Sequence, residues 1–296
     1  MQQIVECVPN FSEGRRPEVI DAIVATIAAV PGAQVLDRQS DASHNRTVVT
    51  FVGAPEVVLE AAFQGCRLAA ELIDLTVHKG EHPRMGATDV IPFIPVRGLA
   101  MDDCVQLARL LGKRIGEELS IPVYLYEQAA TRPERQNLAD VRKGEFEGMR
   151  QLIGVDPAHE PDFGPRALGP AGATAVGARA FLIAFNVYLN TGNVEIAKKI
   201  AKAVRHSSGG LRYVKALGLL VDGQAQVSMN LTDFRQTPIH SVVEMIRREA
   251  ARHGVMISHS ELVGMAPQQA LLDAAAWYLQ LDQFKPELVL ENRLMV

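Results

Sequence analysis

Residues 77–86 read Val-His-Lys-Gly-Glu-His-Pro-Arg-Met-Gly, which places two histidines, an acid and two bases in ten positions. The letters fit H-x-x-E-H, a zinc-hydrolase signature in which two imidazoles share one helix face. His78 and His82 would have to lie one helical turn apart. Gly80 between them costs about 1 kcal/mol relative to alanine in a helix, and Pro83 biases His82 away from helical backbone. The stretch therefore reads as a loop that presents a histidine, and no metal is expected. An imidazole in such a loop, beside Lys79, Glu81, Arg84 and Asp89, titrates near neutrality and suits proton transfer. His82 is the candidate acid–base group, and a turn-stabilising histidine is the plainer alternative.

The surrounding pattern says what must position this loop. Residues 3–11 form an apolar run closed by Pro9 and Asn10 and are expected to be a strand. Val19, Ile20, Ile23, Ile27 and Val30 recur at helical spacing behind Pro17, a favoured first-turn residue. Strands are expected at 33–39 and 46–53, a helix at 55–73, a strand at 89–96, a helix over 101–118 and a strand at 122–127. Residues 127–180 are first polar and partly helical, then so dense in Gly and Pro that irregular structure is expected. The pattern restarts with a strand at 180–189, a helix capped by Asn193, two strands around Asp222-Gly223, a helix ending at Gly254, a strand and a last helix. The order β-α-β-β-α-β thus occurs twice. It predicts an α+β chain of two ferredoxin-like (βαββαβ) subdomains, 1–178 and 179–296, with a ligand cleft between them.

Bulk properties narrow the function. The 296 residues suit two compact units, and 48% are hydrophobic. A net charge of −4 lacks the basic excess of a nucleic-acid surface. No apolar run approaches the roughly 20 residues that span a bilayer, and the N-terminus carries no signal-peptide pattern. Cys7, Cys66 and Cys104 are too scattered for a disulfide framework or a thiolate metal site, so reduced structural thiols in a cytoplasmic protein are expected.

The stretches ECVPNFSEGR, HKGEHPRMGATDVIPFIPVRG, PDFGP, GARAFLIAFNVYL and FKPE resemble the formiminotransferase domain family, whose animal members fuse the domain to a cyclodeaminase. The resemblance runs from about residue 3 to 289, and because the chain stops at 296 no cyclodeaminase segment is expected. It implies transfer of the formimino group from N-formimino-L-glutamate to N5 of tetrahydrofolate, a step of histidine breakdown and one-carbon metabolism. It further implies tetrahydrofolate as co-substrate, no metal, and a homodimer. The family's catalytic histidine falls on His82. Asn10 would orient the formimino group. In the loop Asp41, His44, Asn45 and Arg46, an acid would stabilise the amidinium charge and Arg46 would hold a substrate carboxylate. An acid is usual in the family where this chain has Gln39; Asp41 stands two residues away. Arg84 would clamp glutamate, or pair with Asp89 or Glu81. The stretch Phe163-Gly164-Pro165-Arg166-Ala167-Leu168-Gly169-Pro170-Ala171-Gly172 aligns with the family's folate-contacting segment, although the usual aromatic near its end is replaced by Ala171-Gly172. Asn186, Asn230 and Asp233, near strand ends of the second half, would either reach the cleft or serve the fold, with Asn186 assigned to folate. Three readings compete: N-formylglutamate as donor, a non-catalytic folate or amino-acid binding module, and the zinc hydrolase.

Overall fold

The computed structural model describes residues 3–80 and 83–294, and the chain divides into two compact units, Met1–Arg179 and Ala180–Val296. Unit 1 begins with β1 (Ile4–Cys7) and β2 (Asn10–Phe11), followed by α1 (Pro17–Ala28), β3 (Gln34–Asp41), β4 (Arg46–Gly53), α2 (Pro55–Leu72) and β5 (Thr88–Arg97). It continues with α3 (Met101–Glu118), β6 (Val123–Glu127), α4 (Leu138–Val141), α5 (Glu145–Leu152) and β7 (Thr174–Ala178). β1 and β2 are one strand interrupted at Pro9, which has no N–H to give to the ladder. Together they pair antiparallel with both β4 and β5, and β3 pairs with β4, the ferredoxin-like order.

The sheet then extends through β7 and β6, both parallel to their neighbours. β7 lies inside the Gly/Pro-rich stretch expected to be irregular, and its five residues are all buried. A strand covered on both faces shows no polar–apolar alternation, and its Gly and Ala composition hides it further. Gly177 is there for space: a Cβ would fall 2.5 Å from the ring of Tyr126 on β6.

One sheet face packs on α1, α2 and α3 through Ile23, Ile27, Phe63, Leu111 and Ile115 against Val5, Phe51, Ile91 and Phe93. The other packs Val90, Tyr124, Tyr126 and Ala175 against Val141 of α4 and Met149 of α5. Cys7, Cys66 and Cys104 are free and buried. Burial pushes the Cys66 thiol up to about 11 and the Cys104 thiol up to about 12, so neither carries thiolate at neutral pH.

Glu6, between core residues Val5 and Cys7, is only 5% exposed. Burial raises its carboxyl from 4.5 to about 7, with Arg179 partly offsetting the rise. The folded chain therefore holds this proton where the unfolded chain has lost it. The stability from protonated Glu6 is complete below about pH 4.5 and is lost as pH rises through about 7. At about 1.4 kcal/mol per pKa unit this amounts to roughly 3 kcal/mol. Glu6→Gln is expected to flatten the fall in urea midpoint between pH 5 and 8; an unchanged slope would assign that fall to other groups.

Unit 2 holds β8 (Ile183–Leu189), α6 (Val194–Val204), β9 (Val214–Val221), β10 (Gln224–Leu231), α7 (Ile239–Arg252), β11 (Ile257–Val263), α8 (Gln268–Tyr278) and the short α9 (Leu290–Leu294). Its strand order β11-β8-β10-β9, antiparallel throughout, repeats the ferredoxin-like arrangement. The Asn193 side chain accepts the Glu195 N–H at 3.1 Å and caps α6. Asp222 and Gly223 both have positive φ, 47° and 77°, as the tight β9–β10 hairpin requires.

Candidate active site

Four loops of unit 1 are hydrogen-bonded to one another: residues 12–16 after β2, 41–46 between β3 and β4, the motif between α2 and β5, and 169–173 before β7. Ser12 joins the first to the motif, its Oγ donating to the Gly86 carbonyl at 2.7 Å and its N–H to Ala87 at 2.9 Å. Asn45 joins three of them. Its Oδ1 accepts the Gly14 N–H at 2.9 Å, its Nδ2 donates to the Lys79 carbonyl at 3.0 Å, and its own carbonyl accepts from His78 Nε2 at 3.1 Å. Asn45 has φ of 49°, a left-handed conformation that asparagine tolerates better than most residues. Gly80 presses on this loop so closely that a Cβ would collide with the His44 carbonyl.

The motif is not helical at residues 78–80, which removes the helix-face pairing a zinc hydrolase of this signature needs. His78 is tied at both ring nitrogens. Nε2 donates to Asn45, which fixes the tautomer, and Nδ1 accepts from Arg84 Nε at 3.4 Å. Burial, with the adjacent Arg84 charge, lowers its pKa and keeps it neutral. His82 and Glu81 lie outside the described residues.

Arg84 does not pair with Asp89 but with two acids of α5. Its Nη2 donates to Glu147 Oε1 at 2.6 Å, and its Nη1 donates to Glu147 Oε2 at 2.8 Å and to Glu145 Oε2 at 2.9 Å, both acids standing on α5. Those hydrogen bonds, Glu147 first, raise its pKa. With its side chain only 11% exposed, Arg84 braces the motif against α5. Asp89 is buried and pairs with Arg142, while its Oδ1 accepts the Met85 N–H at 2.8 Å. Arg46 is partly buried and belongs electrostatically to the same group. Burial and the Arg142 charge lower its pKa, against the pull of Asp89 and Asp41. Asp41 accepts the His44 N–H at 2.8 Å and pairs with His44 Nδ1 at 2.7 Å. Burial opposes its ionisation, but these bonds outweigh it and hold the carboxyl below its usual range. Asp41 is thus an anion on the loop that Asn45 ties to the motif. Asn10 donates its amide to the Val8 carbonyl at 3.1 Å.

The folate-aligned stretch is in two parts. Phe163 is pinned to β6, its carbonyl accepting the Val123 N–H at 2.9 Å, whereas Gly164, Pro165, Arg166 and Ala167 are exposed and Arg166 pairs with Glu160. From Gly169 the chain turns along the motif. The Pro170 carbonyl accepts from Leu75 N–H and the Ala171 carbonyl from Ala87 N–H, each at 2.8 Å, and Ala173 N–H donates to Met85 at 2.9 Å. Gly172 sits at φ 69° against the Met85 carbonyl, where a Cβ would collide. Leu168 packs partly buried against the core. Asn186 belongs to unit 2, where it donates to Glu261 at 3.1 Å beside the stacked rings of Tyr188 and His259.

The loops also recruit residues that the sequence did not mark. Glu13, 3% exposed, accepts the N–H groups of Arg15 and Arg16 at 2.8 and 2.9 Å and fixes the entry to α1. An acid four residues before Pro17 was the available signal. Glu145 and Glu147 had none, because their partner lies some 60 residues earlier.

An α+β chain of two ferredoxin-like subdomains, the first enlarged by two parallel strands and carrying a histidine-bearing loop, is the class that fold and site define. Residues 4–179 match the family model for the N-terminal subdomain of the formiminotransferase domain, and residues 184–294 match the formiminotransferase domain model. A protein of Streptococcus pyogenes serotype M1 named glutamate formimidoyltransferase is 51% identical, with 100% of each chain covered. One of the same name from Thermoplasma acidophilum is 51% identical over 98% of this chain and 97% of its own. The formimidoyltransferase-cyclodeaminase of Rattus norvegicus is 50% identical over 94% of this chain, which spans 53% of that longer protein. The chain belongs to the formiminotransferase family.

Proposed function

We propose that this protein is a glutamate formimidoyltransferase: it moves the formimino group of N-formimino-L-glutamate to N5 of tetrahydrofolate, releasing glutamate and 5-formimino-tetrahydrofolate. The observation that carries this reading is identity of about half the positions, from end to end, with two proteins bearing that name. N5 attacks the amidine carbon to give a tetrahedral intermediate. N5 then loses a proton, the bond from carbon to the glutamate nitrogen breaks, and that nitrogen gains a proton. His82 carries the proton from one nitrogen to the other, first as base and then as acid, a service typically worth 10²–10⁴-fold. Asp41, ionised by its bonds to His44, stands by the amidinium charge, and Asn45 keeps the motif in register with that loop. The stretch 163–172 lies along the folate, with its glycine-rich end hydrogen-bonded to the motif. Orientation of two bound substrates contributes at least as much as the proton transfer. The protein works as a cytoplasmic homodimer on small molecules. The test is direct: purified protein with tetrahydrofolate and N-formimino-L-glutamate accumulates 5-formimino-tetrahydrofolate, and N-formyl-L-glutamate in its place gives a lower kcat/KM. No product from either donor would overturn the reading.

A further inference from the structure

We propose that Arg15 and Lys79 form the subsite that receives the paired carboxylates of a glutamyl group, an inference that rests on the transferase reading. The two side chains line an open hollow of about 570 Å³ together with Ala42, Ser43 and Gly80. Its walls are backbone segments locked to one another. Arg15 Nε donates to the Ala42 carbonyl at 2.7 Å, Asn45 bonds the Lys79 carbonyl at 3.0 Å, and Gly80 leaves no room against His44. Lys79 and Gly80 directly precede Glu81 and His82 in the sequence.

The charge inventory of these loops selects this pair. Arg84 is taken by Glu145 and Glu147, Arg16 by Glu13 and Arg142 by Asp89. Arg46 is partly buried and feels the charges of Asp89 and Asp41. Among the described residues, no carboxylate lies within ion-pair distance of Arg15 or Lys79. The Arg15 guanidinium is oriented by its Nε bond, which leaves its two terminal nitrogens as a fork of the kind that binds carboxylates bidentately. Lys79 supplies a second, point-like cation suited to the other carboxylate. A glutamyl group carries two carboxylates, and both the donor and the tail of tetrahydrofolate present one, so the same chemistry has two sources.

Steady-state kinetics of Arg15→Gln, Lys79→Gln and the double variant separate them. Each single change is expected to raise the KM of one glutamyl-bearing substrate by about 10-fold and the double by about 100-fold, with kcat falling far less. A rise confined to N-formimino-L-glutamate places the donor in the hollow. A rise confined to tetrahydrofolate, absent with tetrahydropteroate, places the folate tail there. Arg15→Lys keeps the charge and should recover most of the loss, and circular dichroism of each variant checks that the fold is intact. Calorimetric titration with each substrate gives a readout that needs no turnover. If the native protein binds N-formimino-L-glutamate but transfers nothing, the transferase reading fails, while a 10-fold or greater loss in the double variant still upholds the subsite. KM and affinity for both substrates unchanged within about twofold in the double variant would overturn it, as would the absence of binding to the native protein.

Discussion

His82→Ala is expected to lower kcat by about 100-fold or more while leaving tetrahydrofolate binding intact. Two other histidines stand on these loops, and one of them is bonded at both ring nitrogens. His78 spends both ring nitrogens on Asn45 and Arg84 and is kept neutral by burial. His44 is tied to Asp41. A proton carrier must give up and regain a proton within each cycle, and a ring wired on both sides into the scaffold cannot do so without dismantling the loop. General acid–base transfer contributes 10²–10⁴-fold, which sets the size of the loss. Stopped assays at saturating substrates, with a fluorescence titration of tetrahydrofolate, check it. The native limb of log kcat against pH in the imidazole range should vanish in the variant. Weakened binding with unchanged kcat at saturation would remove His82 from the chemistry.

The largest effect on stability is expected at Arg142. Asp89 has a side chain 2% exposed, and burial already pushes its carboxyl up despite the attraction of Arg142. Arg142→Met would leave that acid without its direct cation. Breaking a buried pair on one side costs about 3–5 kcal/mol, much of it the isolated charge. In a unit of this size that corresponds to roughly 10 °C in melting temperature. Because the chain has two units, the loss is best followed by hydrogen exchange at the Met85 amide, which bonds Asp89. Adding Asp89→Asn should recover most of the loss. A destabilisation under about 1 kcal/mol would show that water already satisfies Asp89.

The ferredoxin-like halves were legible because their signals are local. Helical spacing in α1 and α2, Pro17, Asn193 and Asp222-Gly223 each act within one or two turns of chain. β7 was not legible, because residues 174–178 are buried throughout and rich in small side chains, which erases the period that marks a strand. Around the motif, the loop character of residues 78–80 followed from Gly80 and Pro83. The partners of Arg84 did not, since Glu145 and Glu147 reach it only through the packing of α5. Arg84 was expected to clamp a substrate or to pair with Asp89 or Glu81; the acids it meets on α5 lie some 60 positions away.

The bonds from Ala173 and Ala87 across the motif join positions about 90 residues apart, and β7 enters the sheet only after the whole segment that follows β5 has been made. Loop closure of that length is slow, whereas β9 and β10 of unit 2 pair across a two-residue turn. During synthesis, then, the face formed by these four loops would be among the last parts of unit 1 to consolidate, and a chain stopped before residue 173 would lack the ledge to which the motif is bonded.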